Sequence, residues 1–336
     1  MPTVRIIGQA DVPALLPMAD CVELMSEALR RLAEGDAVQP LRSVVRLPGG
    51  AGLLATMPAY LGSPPTVGVK VITVFLGNHG TPLDSHQGAV LLFDAENGSL
   101  VAVIDATSIT GVRTAAVSAA ATDALARPEA ATLAVLGSGV QASAHIAAMR
   151  VVRPITRVLV WSRDPGRARA FAGRETARHR IPIQAASTAR EAVQGAAIVC
   201  AATSAAAPVL HGEWLAPGAH VNAAGACVPT SRELDTPAVV RSRLFVDRRE
   251  SALSEAGDVV IPMQEGAIGP DHIVAEIGDV LAGRAEGRRS AEEITLFKSL
   301  GLAIEDLAAA RHVYARAVEA GVGATIELGG ARLDPA

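Results

Sequence analysis

Aromatic residues are scarce in this chain: five Phe, two Trp and two Tyr among 336 residues leave no platform on which nucleobases could stack. A basic excess is missing too. With 30 Lys and Arg against 34 Asp and Glu the net charge is −4, the wrong sign for tracking phosphates, so no nucleic-acid partner is expected. Cysteine is limited to Cys21, Cys200 and Cys227, an odd set at wide spacing. That pattern builds neither a disulfide framework nor a zinc site and points to a reducing, cytoplasmic setting. None of the eight histidines falls in an HExxH pattern, so no metal is expected. The opening MPTVRIIGQADV lacks the basic region and apolar block of a secretory signal. Residues 130–149 carry no charged side chain, yet their two glycines, Gln141, His145 and serines argue against a membrane span.

What remains is the composition of a soluble enzyme, half hydrophobic and 19% charged, at a length that suits about two domains. The most informative stretch is ATLAVLGSGVQASAHIAAM, over residues 131–149. An apolar run of strand character breaks at Gly137-Ser138-Gly139 and continues as an alanine-rich helix pattern. Gly137-x-Gly139-x-x-Ala142 is the spacing of a dinucleotide-binding turn, in which the glycines allow a tight turn and close approach of a pyrophosphate. The helix N-terminus would then face the phosphates. Downstream, strand-like runs at 157–161, 181–184, 196–200, 220–223 and 244–247 alternate with helical patterns, as in a parallel, doubly wound sheet. Upstream, a helical pattern over 17–35 is followed by apolar blocks between residues 41 and 105, punctuated by glycine and proline. Glu96-Asn97-Gly98 marks a hairpin, and this half reads as a mainly antiparallel sheet. A helix is expected over 108–126. From Thr295 the chain reads as an amphipathic helix after its first few residues, with Ile304, Leu307, Ala308, Val313 and Val318 on the apolar face.

Three cations stand out. Lys70 is the only charge in the otherwise apolar strand TVGVKVITVF. It is either an edge lysine reaching water or a site lysine that binds a carboxylate or delivers a proton. Arg113 lies among small residues in TGVRTAAV, and Arg42 follows a proline-leucine pair. If they converge, the three would clamp a small acid. The second nucleotide strand ends Trp161-Ser162-Arg163, with Asp164-Pro165 reading as a helix cap. No acid is left there for a free ribose hydroxyl, which favours NADPH while keeping NADH possible.

These motifs together resemble the ornithine cyclodeaminase/μ-crystallin family. The matching stretches run in order along nearly the whole chain: PLR at Arg42, MPAY at Tyr60, GVK at Lys70, SHQG from Ser85, TGVRTAA around Arg113, LGSGVQ ending at Gln141, PGAHVN ending at Asn222, REL at Leu234, GD at Asp258 and FKSLG ending at Gly301. The resemblance implies an α/β protein, with a Rossmann-type doubly wound parallel sheet over 116–302. It also implies an α+β substrate-binding and dimerisation domain over 1–115, completed by a helix at about 303–336, and hence a homodimer. Arg42, Lys70 and Arg113, with Cys227, would contact the substrate, and Lys70 or His86 would supply a proton. The cofactor set would be Ser85, His86, Arg113, Thr114, Gly137, Ser138, Gly139, Val140, Gln141, Ser162, Arg163, Thr203 and Gly225. Two departures matter. Cyclodeaminases place a glutamate where Ala55 stands and an aspartate where Cys227 stands, which disfavours deamination. The expected activity is NAD(P)H-dependent reduction of a small, cyclic ketimine such as Δ1-pyrroline-2-carboxylate or Δ1-piperideine-2-carboxylate. Alternatives are an alanine-dehydrogenase-like enzyme, a cyclodeaminase, or a μ-crystallin-like ligand-binding protein.

Overall fold

The structure, a computed structural model, describes residues 3–78 and 80–330. The chain forms two compact units. One holds the chain up to Arg113 together with the chain from Leu302 onward, and the other is Thr114–Gly301. The first division falls inside one helix, Ala106–Leu125.

The first unit begins with β1 (Thr3–Ile7) and a helix, Met18–Glu34, that turns Cys21, Val22, Met25, Ala28 and Leu29 inward. Gly35 stops that helix in the left-handed conformation at φ 83°, open to glycine without strain. There follow β2 (Ala37–Val38), β3 (Ser43–Arg46), β4 (Leu53–Gly62), β5 (Pro65–Val74), β6 (His86–Phe93) and β7 (Leu100–Asp105). Alternation sets the inner face: Ala55, Met57, Ala59 and Leu61 of β4 point in, while Pro58 and Tyr60 point out. In the β6–β7 hairpin the Asp94 carboxylate accepts from the Glu96 and Asn97 amides, and Gly98 takes φ 77°, as the sequence suggested.

The second unit is a sheet of eight strands: β8 (Thr132–Leu136), β9 (Arg157–Trp161), β10 (Ile183–Ala185), β11 (Ile198–Ala201), β12 (His220–Ala223), β13 (Arg243–Val246), β14 (Ile273–Glu276) and β15 (Thr295–Lys298). Their order is β10-β9-β8-β11-β12-β15-β13-β14, and every pairing is parallel. The chain runs outward from β8 through β10 and resumes at β11 on the other side, so strand order reverses between β8 and β11. Ligands of such sheets bind outside the carboxyl ends of the strands at that reversal.

Here the structure corrects the sequence reading. The strand at 243–246 does not complete the sheet: β14 lies beyond it and β15 is inserted between it and β12. All four residues of β15 are buried, so TLFK shows no alternation and merges by eye into the helix that follows.

That helix is Ala303–Ala320, closed by Gly321, and β16 (Ala324–Glu327) follows it. Helix therefore does not continue through residue 330, and residues 331–336 lie outside the described residues. The first unit's sheet runs β16-β1-β7-β6-β5-β4-β2, with β3 also on β4. It is antiparallel except for β1 against β7. Helices Met18–Glu34 and Ala303–Ala320 pack together, the latter across β4, β5 and β6. Its inward residues include Ile304, Leu307, Val313 and Ala317, whereas Val318 is 49% exposed, against expectation. Gly68 of β5 makes room for this packing, since a Cβ there would lie 2.5 Å from Leu307 Cδ1.

Among the described residues no helix is long and apolar enough to cross a membrane, and no group of three His, Cys, Asp or Glu is arranged to hold a metal ion. The helix assignment is testable by denaturant unfolding. Leu307→Ala, at a side chain only 1% exposed, should cost about 2–5 kcal/mol. Val318→Ala should stay within about 0.5 kcal/mol, and equal losses would contradict the orientation.

Candidate active site

Lys70 sits on a central strand with a neighbour on each side, and it is 2% exposed, so it cannot reach water from a sheet edge. The period of β5 aims it inward with Thr66 and Gly68, toward the helix Ala303–Ala320. There Asp306 Oδ2 lies 2.5 Å from Lys70 Nζ, and Asp306 Oδ1 accepts from Arg113 Nε at 2.9 Å. Arg113 Nη1 also donates to Glu305 at 2.8 Å. All four side chains are buried, two cations against two carboxylates joined through Asp306. Burial favours the neutral form of Lys70 and brings its pKa down to about 8; Asp306 pulls it upward, while Arg113 and Arg42 push it down. For Asp306 burial works in the opposite sense, but Arg113 and Lys70 outweigh it and hold the carboxyl below its ordinary range.

Two of the three expected cations are thus joined directly, and Arg42, half-buried just before β3, is close enough to act on Lys70 electrostatically. The sequence suggested three cations that would clamp a small acid if they converged. Lys70 and Arg113 are each paired with carboxylates of the closing helix, Lys70 with Asp306 and Arg113 with Glu305 and Asp306. Ala55 is buried on the same inner face, two residues along β4 from Met57, which pairs with Lys70. His86 opens β6 opposite Val74, while Lys70 pairs with Val90. It is on Lys70's face but four residues along, about 13 Å between backbones. Its Nδ1 lies 3.0 Å from the Ser85 hydroxyl, and its chain amide donates to Asp84. Thr114, half-buried, follows Arg113 on the helix but belongs to the second unit.

In the second unit the glycine turn follows β8. Gly137 adopts φ 125°, a region closed to most side chains, and a Cβ there would lie 2.5 Å from the Ala202 carbonyl oxygen. Gly139 caps the helix Val140–Val152, has open space where a Cβ would stand, and presents the first amides with Val140 and Gln141. Ala142 behind them is fully buried against the sheet. Ser138 lies at the tip of the turn, and a pyrophosphate fits a turn of this kind. Ser162 and the exposed Arg163 follow β9, and Asp164 caps the next helix by accepting from the Gly166 and Arg167 amides. Thr203 and Gly225 lie just past β11 and β12. Cys227 is half-buried, its thiol 3.8 Å from the Ala224 carbonyl, whereas burial pushes the Cys21 and Cys200 thiols up to about 12.

Sequence reasoning did not find Glu305 or Asp306 as the partners of Lys70 and Arg113. One signal was available. Glu305-Asp306 stands between Ile304 and Leu307 at the start of an amphipathic helix, and a lysine on an apolar strand needs an acid somewhere.

The family model for the ornithine cyclodeaminase/mu-crystallin family matches residues 4–321. The mouse ketimine reductase mu-crystallin is 42% identical over 281 residues, 84% of this chain and 86% of that one. A Bacillus cereus Δ1-pyrroline-2-carboxylate reductase is 34% identical over 323 residues, 96% of this chain and 99% of that one. Among solved structures, the Thermococcus litoralis Δ1-pyrroline-2-carboxylate reductase in complex with NADH and L-proline superposes with a TM-score of 0.93 at 37% identity, covering 96% of this chain and 99% of that one. An archaeal alanine dehydrogenase dimer with bound NAD gives 0.92 at 32%, covering 97% and 100%. The fold is that of these nucleotide-binding relatives, and the chain belongs to the ornithine cyclodeaminase/mu-crystallin family.

Proposed function

We propose that this protein is an NAD(P)H-dependent reductase of small cyclic ketimines, taking Δ1-pyrroline-2-carboxylate or Δ1-piperideine-2-carboxylate to the cyclic amino acid. The observation that carries the reading is the buried Lys70–Asp306–Arg113 group beside a purely apolar Ala55. A carboxylate is served by Arg42, Lys70 and Arg113, while Ala55 offers nothing to hold the second amine that a cyclodeaminase substrate carries. The relatives named as reductases of ketimines and of pyrroline-2-carboxylate support the same chemistry.

The glycine turn, with Val140 and Gln141 at the helix start, fits a dinucleotide pyrophosphate. When bound, the reduced nicotinamide supplies a hydride to the imine carbon next to the carboxylate. The chain's own residues do the rest. Arg113, held by two carboxylates, and Arg42 orient the acid, which lowers the entropic part of the barrier. A neutral imine accepts hydride poorly, so Lys70 gives a proton to its nitrogen; His86, farther along the face, is the weaker donor. Ser162 and Arg163 favour a 2′-phosphate and thus NADPH, although the two solved relatives above hold NADH and NAD. A homodimer is the expected assembly, because the outer face of the first unit's sheet exposes Val45, Tyr60 and Val67.

The similarity to an alanine dehydrogenase favours one second reading, reduction of an open-chain imine from pyruvate and ammonia. The test is oxidation of NADPH and NADH with five- and six-membered cyclic imino acids, and with pyruvate plus ammonia. Turnover is expected on the cyclic acids, faster with NADPH. Faster turnover of pyruvate plus ammonia would establish the second reading. Stoichiometric binding without turnover of any imine would leave a ligand-binding protein.

The proton donor sets the pH dependence. Lys70 gives a proton only below its pKa, so kcat for reduction should fall as pH rises through about 8. Asp306→Asn removes the charge that pulls this pKa up, and the falling limb should move to lower pH. A limb that stays in place in that variant would remove Lys70 as donor.

A further inference from the structure

Glu233 is 0% exposed and belongs to no strand or helix, yet its carboxylate accepts three hydrogen bonds. Its Oε1 accepts from the Thr203 amide at 2.6 Å and the Thr203 hydroxyl at 2.7 Å, and its Oε2 accepts from the Gly225 amide at 2.7 Å. Thr203 and Gly225 each lie two residues past the ends of adjacent strands, β11 and β12. One side chain therefore ties together the turns at two neighbouring strand ends. The approach is so close that a Cβ at Gly225 would lie 2.3 Å from the Glu233 carboxyl and 2.4 Å from the Thr203 carbonyl.

Glu233 is itself anchored. Its amide and that of Leu234 donate to Asp258 Oδ1 at 2.8 and 3.0 Å, and Asp258 Oδ2 lies 3.0 Å from Lys298 Nζ. Lys298 ends β15, where it is paired with Ala223 of β12, and it is fully buried. Burial works against its ammonium, but Asp258, Cys227 and Glu233 outweigh it, so Lys298 keeps its charge. The chain of contacts from Thr203 and Gly225 through Glu233 and Asp258 to Lys298 spans three consecutive strand ends. It begins next to the glycine turn, because Gly137 packs against the Ala202 carbonyl.

We propose that Glu233 is a positioning residue for the dinucleotide: it holds the 202–203 and 225 turns at the carboxyl edge of the sheet against which Gly137 and the cofactor lie. The inference rests on the dinucleotide reading of that edge. Being fully buried, Glu233 acts through Thr203 and Gly225. Three donors converge on its two oxygens, an arrangement met by a carboxylate and not by an amide, which would turn its own N–H groups toward one of them.

The experiment measures NADH and NADPH dissociation constants by fluorescence, with steady-state KM for each substrate, on full-length wild type and Glu233→Gln. The variant is expected to bind the preferred cofactor about tenfold more weakly, the scale of one lost buried bond, with KM for the imino acid within about twofold. A folded Glu233→Gln with unchanged cofactor affinity, whatever its thermal midpoint, would overturn the proposal. If that variant does not fold, Thr203→Val removes the hydroxyl that donates to Glu233 and accepts from the Ala205 amide, leaves both backbone amides on the carboxylate, and should weaken cofactor binding about threefold; unchanged affinity there would overturn it equally. Wild type that binds neither nucleotide would instead refute the dinucleotide reading itself.

Discussion

The first unit depends on one carboxylate. Asp306 is buried with Lys70 on one oxygen and Arg113 on the other, so it offsets the desolvation of Lys70 and, with Glu305, that of Arg113. Removing one member of such a group leaves an uncompensated buried charge, which is far costlier than removing the whole group. The same contacts hold the closing helix to the strand that carries Lys70. Burial, Asp306 and Arg113 together also place the Lys70 pKa near 8, where a lysine can exchange its proton close to neutrality. In the proposed mechanism, positioning, packing and proton chemistry are therefore one interaction.

The second unit uses the same device for a different end. Its sheet reverses strand order between β8 and β11, and this is where the glycine turn lies. Backbone turns at strand ends have few contacts of their own, so their exact placement needs an outside tether. A buried carboxylate that accepts from two of them supplies it at a single point, and the ion pair behind it keeps that carboxylate from shifting.

Much of this was legible in the sequence because the signals are local. Gly35, the Glu96-Asn97-Gly98 turn, Asp164-Pro165 and the glycine turn each act within a few residues, and the structure places each in the expected conformation. Lys70 was legible as an anomaly, a charge where the strand period demands an apolar residue. Its partner was not, since Asp306 lies on a helix far along the chain and nothing in the spacing encodes the meeting. The strand β15 was hidden for another reason. Four fully buried residues have no polar alternation, and the apolar helix that follows absorbs them. Strands β1 and β16 are short and gain their identity by pairing: β16 is the edge strand against β1, which lies between it and β7.

The central claim is that the buried cation group reads a carboxylate on a small ring. It is tested most directly by titrating the NAD(P)-loaded protein with L-proline and with L-prolinamide, whose amide replaces the charged carboxylate on the same ring. Two lost charge-assisted bonds should weaken the amide about a hundredfold relative to the acid. Equal affinity for the two would contradict the assignment of Arg42, Lys70 and Arg113 to the substrate.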